Sequence, residues 1–193
     1  KNTFKLLPLP EAKKTMLTIF DSIDGAARAV STIIGNKIIP TTLEFMDYAT
    51  LQCVERRFSL GVPPEGRAVL LIEVDGEREL IEKQAARIHE LIKPLGLVHF
   101  RAAETAEESE ALWRVRRLES PSLRDVNPDK FNEDIVVPRS KVPVVIREIE
   151  KIQQKYDIPI VKFGHAGDGN IHVNVMINKD VPGHQEKAEA ALT

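Results

Sequence analysis

Two apolar runs, Ile158 to Phe163 and Ile171 to Ile177, enclose the segment Gly164-His165-Ala166-Gly167-Asp168-Gly169-Asn170. Glycine and asparagine tolerate the positive φ of a tight turn, so a Gly-Asp-Gly-Asn stretch between β-type runs dictates a hairpin. Beyond the turn, Ile171, Val173, Val175 and Ile177 alternate with His172, Asn174 and Met176. A period of two puts His172 and Asn174 on one face of the second strand, with His165 at the mouth of the turn. Two imidazoles seven residues apart across such a turn can converge on one divalent ion, with Asp168 or Asn174 as neighbours. A hairpin whose histidines face water explains the turn equally well, although it leaves the gathering of polar groups beside two buried strands without a reason.

The stretches on either side supply the fold class. Thr15 to Phe20 reads as a strand, Asp21 and Ser22 as caps, and Ile23 to Ile34 as a helix. Thr41 to Met46 is a second strand and Asp47 to Phe58 a helix in which Cys53 is a buried packing residue. After the Gly61 to Gly66 loop, Ala68 to Val74 is the clearest strand; Glu77 to Ile92 is an amphipathic helix stopped by Pro94 and Gly96, and Leu97 to Arg101 resumes as strand. Strand-helix-strand thus occurs twice in the first hundred residues. The doubled βαβ pattern predicts an α+β sandwich, mainly antiparallel, with helices on one face. Thr105 to Leu118 is a charged helix, Ser120 to Phe131 a loop without periodicity, Ile135 to Val137 a short strand, and Val142 to Tyr156 and His184 to Leu192 are helices.

Composition narrows the function classes. A net charge of -2 with no long basic run argues against a nucleic-acid partner, and a small anionic substrate would need a local cluster of cations. One cysteine allows no internal disulfide, so a cytoplasmic location is expected. The first residue is Lys1 rather than methionine, and the last helix stops at Thr193. The 193 residues are therefore expected to be one domain, a piece of a longer chain.

Gly164-His165-Ala166-Gly167-Asp168-Gly169-Asn170-Ile171-His172 resembles the Gly-His-x-Gly-Asp-Gly-Asn-x-His signature of the C-terminal domain of FAD-linked oxidases, the group of glycolate oxidase, D-lactate dehydrogenase and D-2-hydroxyglutarate dehydrogenase. Pro40 to Asp47, Leu112 to Arg117 and Asp134 to Ser140 agree with further family stretches in the same order. The resemblance implies a ferredoxin-like fold, and a domain lacking both the N-terminal part that holds most of the FAD and the extreme C-terminus. It implies oxidation of a small 2-hydroxy acid to the 2-oxo acid, with electrons passed to an Fe–S or other electron-transfer partner that can tie the protein to a membrane surface. Self-association into a homo-oligomer is a further expectation, through the surface where the absent domain would dock.

Such chemistry needs a carboxylate anchor, a group that handles the hydroxyl proton, and a fixed α-carbon. By the resemblance Arg116 binds substrate, because a guanidinium fork matches a carboxylate; Arg114 and Arg117 are read as solvated. His165 and His172 hold zinc or another divalent metal, His172 being the catalytic candidate, and the third family ligand, a glutamate in a Glu-His-Gly motif, does not occur before Thr193. Asn174 is expected on substrate, and Gly167, Gly169 and Asn170 beside the cofactor. Asn132 stands where some relatives carry a lysine, and Arg139 and Lys141 are the candidates to supply that charge. Asp168 is read as bonding its own turn, and Glu44 as either an inward carboxylate or a solvated strand residue. Two alternatives from other classes remain: a ferredoxin-like ligand-binding or interaction module without redox activity, and a hydrolytic metalloprotein, which the lack of a third ligand disfavours.

Overall fold

The computed structural model describes all residues except 1, 2, 5, 7 and 59–61. Among the described residues seven strands form one sheet: β1 (Ala12–Phe20), β2 (Thr42–Asp47), β3 (Ala68–Gly76), β4 (Leu97–Ala102), β5 (Asp129–Val136), β6 (Ile160–His165) and β7 (Asn170–Ile177). The α-helices that accompany them are α1 (Ile23–Gly35), α2 (Tyr48–Phe58), α3 (Arg78–Ile92), α4 (Ala106–Ser122), α5 (Val142–Tyr156) and α6 (His184–Leu192). The strand order is β4-β1-β3-β2-β6-β7-β5, and every neighbouring pair is antiparallel. The first four strands with α1 and α3 are the expected doubled βαβ unit, with α2 inserted between β2 and β3 in the chain. Strands β6, β7 and β5 extend that sheet from its β2 edge.

Four helices, α1, α3, α5 and α6, pack on one face over Phe20, Phe45, Leu70, Ile72, Val173 and Val175. The layering goes one step beyond helices on one face, because α2 and α4 lay Leu51, Val54, Leu112 and Val115 against Leu17, Ile19, Val69 and Leu71 on the other. The cause is legible in β1 and β3, which are apolar at successive positions and so bury both faces. Serine and threonine start two of these helices: Ser22 Oγ accepts from Gly25 N at 3.2 Å and Thr105 Oγ1 from Glu108 N at 3.2 Å. Cys53 is buried, as expected.

The segment expected to be a loop, Ser120 to Phe131, is irregular at 126–128 and regular on either side. Helix α4 runs through Pro121 to Ser122, a 3-10 turn covers Leu123–Asp125, and β5 begins at Asp129 rather than at Ile135. Strand β5 is an edge strand with no apolar alternation, so nothing local announces it; its eight residues are defined by pairing with β7, from Asp129↔Ile177 to Val136↔Asn170. Among the described residues no helix is long and apolar enough to cross a membrane.

Candidate functional site

The face covered by α2 and α4 near β1 and β3 changes character toward β5. Directly paired residues of antiparallel strands point to the same side. The pairs Glu44↔His165, Phe163↔His172, Asp134↔His172 and Asn132↔Asn174 therefore place Glu44, His165, His172, Asn174, Asp134 and Asn132 together on the same face as Met46, Val161 and Phe163. The expected hairpin joins β6 to β7. Asp168 N and Gly169 N both donate to the His165 carbonyl, and Asp168 Oδ1 accepts from Asn170 N at 3.0 Å, so Asp168 serves its turn.

The two imidazoles come together with ring centroids 5.5 Å apart in an edge-on arrangement. His165 Nδ1 lies 2.5 Å from Glu44 Oε1, and His172 Nδ1 lies 2.5 Å from Asp134 Oδ1. An ionised carboxylate only accepts, so each Nδ1 carries the hydrogen and each Nε2 keeps its lone pair for a proton or a metal. Carboxylate-oriented histidines are how proteins present imidazole to a cation, so the pair fits half of a metal site. Among the described residues no group of three His, Cys, Asp or Glu side chains is placed to hold a metal.

Arg116 reaches the same cluster. Its Nε donates to Glu44 Oε2 at 2.6 Å and its Nη1 to Glu119 Oε2 at 2.9 Å, and its guanidinium carbon lies 5.5 Å from the Phe163 ring centroid. Glu44 thus bridges His165 to Arg116. Glu119 is fully buried on α4, and its Oε1 has no hydrogen-bond partner. Burial pushes its carboxyl well above the ordinary range; the negative charges of Glu44 and Asp47 act in the same direction and Arg116 opposes them. Arg117, by contrast, pairs with Glu110 on the exposed side of α4.

The remaining expected residues are placed as follows. Asn174 is fully buried; its Oδ1 accepts from Lys130 Nζ at 2.7 Å and its Nδ2 lies 3.5 Å from the Val161 carbonyl, so it meets the open face only through Lys130. Gly169 has φ +85°, and a Cβ there would lie 1.9 Å from the Val137 carbonyl oxygen. A Cβ on Gly167 would come within 3.3 Å of Leu43 Cβ. The fold's own backbone, seating the turn against β2 and the end of β5, accounts for both glycines. Asn170 Oδ1 is buried without a partner among the described residues, an acceptor left over beside the turn of the hairpin. Arg139 and Lys141 are exposed beyond β5. The cation that the strand does turn toward Asn174 is Lys130, which sequence reasoning assigned to a loop. Glu119 and Asp134 were also missed; the i,i+3 spacing of Arg116 and Glu119 on one helix is the signal that could have found the first.

Residues 9–193 match the family model described as FAD linked oxidases, C-terminal domain. The chain is 43% identical to the glycolate oxidase subunit GlcD of Bacillus subtilis over 97% of its own length and 41% of that protein. It is 26% identical to a D-lactate dehydrogenase of Anaerostipes hadrus, over 98% of this chain and 42% of the relative. The crystal structure of p-cresol methylhydroxylase with substrate bound superposes with a TM-score of 0.72 at 14% identity, covering 97% of this chain and 43% of that one, which shows a shared fold. The chain spans about two fifths of the length of these curated relatives. With a match over nearly its whole length, the chain belongs to the family of C-terminal domains of FAD-linked oxidases.

Proposed function

We propose that this domain forms the substrate side of an FAD-dependent dehydrogenase that oxidises a 2-hydroxy acid, of the glycolate or D-lactate type, to the 2-oxo acid. The observation that carries the reading is the chain of contacts Asp134–His172, His165–Glu44 and Glu44–Arg116 on the open face of the sheet. FAD, when bound, supplies the two-electron acceptor; the family and the relatives named above support it, and most of its binding falls to a domain outside these residues.

The chain's own residues divide the remaining work. His172 Nε2 takes the hydroxyl proton as the α-carbon is oxidised, and Asp134 fixes the ring's tautomer and stabilises the imidazolium that results. With zinc or another divalent cation bound, His165 and His172 would instead both give their Nε2 lone pairs to it, with a third ligand supplied from elsewhere; the cation would then lower the pKa of the bound hydroxyl, and the proton would go to a base other than His172. Arg116 has Nε and Nη1 fixed by two carboxylates and keeps Nη2 to orient a substrate oxygen. The orphaned Asn170 Oδ1 is the acceptor we assign to the cofactor side. Relatives of this chain are named as subunits, which supports partner subunits for the whole protein; that one of them accepts the electrons, in the cytoplasm or at its membrane surface, is part of this proposal.

The test uses the full-length protein. Glycolate or D-lactate should bleach its flavin, and His172→Ala should slow that reduction by about 100-fold or more while leaving flavin content unchanged. Wild type that carries no flavin, or a variant that reduces at the wild-type rate, would favour a ligand-binding module without redox chemistry.

A further inference from the structure

The cations and imidazoles of the site face are nearly all spoken for. Arg116 is shared by Glu44 and Glu119, His165 faces Glu44, and His172 faces Asp134. Lys130 differs. Its backbone pairs with Met176, but its Nζ leans toward the hairpin and donates to Asn174 Oδ1 at 2.7 Å and to Ser120 Oγ at 3.2 Å. Both partners are neutral, and among the described residues Lys130 has no carboxylate within ion-pair distance. The neighbouring Asp129 is paired with Lys179 at 3.4 Å. The ammonium is half-buried in the wall of a cavity of about 710 Å³ between the end of α4 and the start of β5, lined by Ser120, Leu123, Arg124, Asn127, Lys130 and Met176. Burial lowers its pKa, the mark of a charge that has lost water without gaining an anion.

Position along the strand completes the argument. Asn174 and His172 are two residues apart on β7, one side-chain row, or about 7 Å. A 2-hydroxy acid spans one row when its carboxylate accepts from an ammonium on one side and its hydroxyl meets an imidazole on the other, each through a contact of about 2.8 Å.

We propose that Lys130 is the uncompensated charge that anchors the carboxylate of the substrate, held in place by Asn174 and Ser120, with the hydroxyl delivered one row away to His172. This rests on the function proposed above and deepens it: Arg116 orients, and Lys130 supplies the net charge. Asn174 is then a positioning residue, which is why a buried amide faces an ammonium rather than solvent.

The experiment compares full-length wild type, Lys130→Met and Lys130→Arg. Turnover is measured with D-lactate and with its uncharged analogue lactamide, and calorimetry measures equilibrium binding of pyruvate. Loss of one charge-assisted contact should raise KM for D-lactate and the pyruvate Kd by about 10- to 100-fold in Lys130→Met, with kcat nearly unchanged. Lactamide kinetics should change less than about threefold, and Lys130→Arg should recover most of the pyruvate affinity. Pyruvate binding unchanged within twofold in Lys130→Met, equal losses for D-lactate and lactamide, or no pyruvate binding by wild type would overturn the assignment. Failure of wild type to oxidise any 2-hydroxy acid would instead overturn the proposed reaction, and the pyruvate titration would still decide the role of Lys130.

Discussion

Two acidic side chains share one guanidinium at the centre of this site, and that arrangement makes a quantitative prediction. The Arg116 side chain is 17% exposed, Glu44 8% and Glu119 0%. Removing the only partner of a charge buried this deeply costs about 3–5 kcal/mol. Here each single replacement leaves Arg116 one acidic side chain as a hydrogen-bond partner, so Glu44→Gln or Glu119→Gln should cost only about 1–2 kcal/mol, between the scales of a neutral and a charge-assisted hydrogen bond. The double replacement strands the guanidinium and should cost about 3–5 kcal/mol, at or beyond the sum of the singles. The pH dependence separates the two acids. The Glu119 carboxyl is raised in the folded chain, chiefly by burial, with Glu44 and Asp47 adding and Arg116 opposing. Its favourable contribution is therefore complete below the unfolded value of about 4.3 and is lost as pH rises from there through the folded value. Glu119→Gln has no proton to lose, so its stability relative to wild type should improve steadily as pH rises above about 4.3. Urea unfolding of the 193-residue chain, followed by its single tryptophan, Trp113 on α4, measures this directly. A cost of Glu119→Gln that stays constant or grows between pH 4.5 and 8 would refute a protonated Glu119. Singles that each cost as much as the double would refute the shared clamp.

Gly169→Ala forces a side chain into φ +85° and onto the Val137 carbonyl, and should cost about 3 kcal/mol or more in the same urea assay; a loss under about 0.5 kcal/mol would mean that β5 and the hairpin tip separate freely. Asp134→Asn in the full-length protein should lower kcat by about 10-fold or more with little change in KM, since the imidazolium of His172 loses its counter-charge. For the metal, His165→Ala and His172→Ala should each abolish zinc uptake by the full-length protein as read by elemental analysis. Full activity of wild type in excess chelator, with no metal retained, would remove the cation from the proposed chemistry.

The hairpin, its two histidines and the doubled βαβ unit were readable in the sequence because each is local: a turn spelled in glycines, and apolar periods that switch between two and 3.6. What was not readable depends on register. Asp134 becomes the partner of His172, and Lys130 the partner of Asn174, only because β5 pairs with β7 over eight residues, and an exposed edge strand has no hydrophobic pattern to announce that pairing. The same geometry explains why one face of a single sheet can be both core and site. Where β1 and β3 carry Leu17, Ile19, Val69 and Leu71, helices α2 and α4 must cover the surface. Beyond that edge, at Glu44, His165, His172 and Asp134, polar groups satisfy one another in pairs, and α4 meets them through Arg116 rather than through an apolar side chain. The site lies where the apolar requirement of the second face ends, and Lys130, whose partners among the described residues are neutral, marks where that self-satisfaction is left incomplete, the place proposed above for the carboxylate of a ligand.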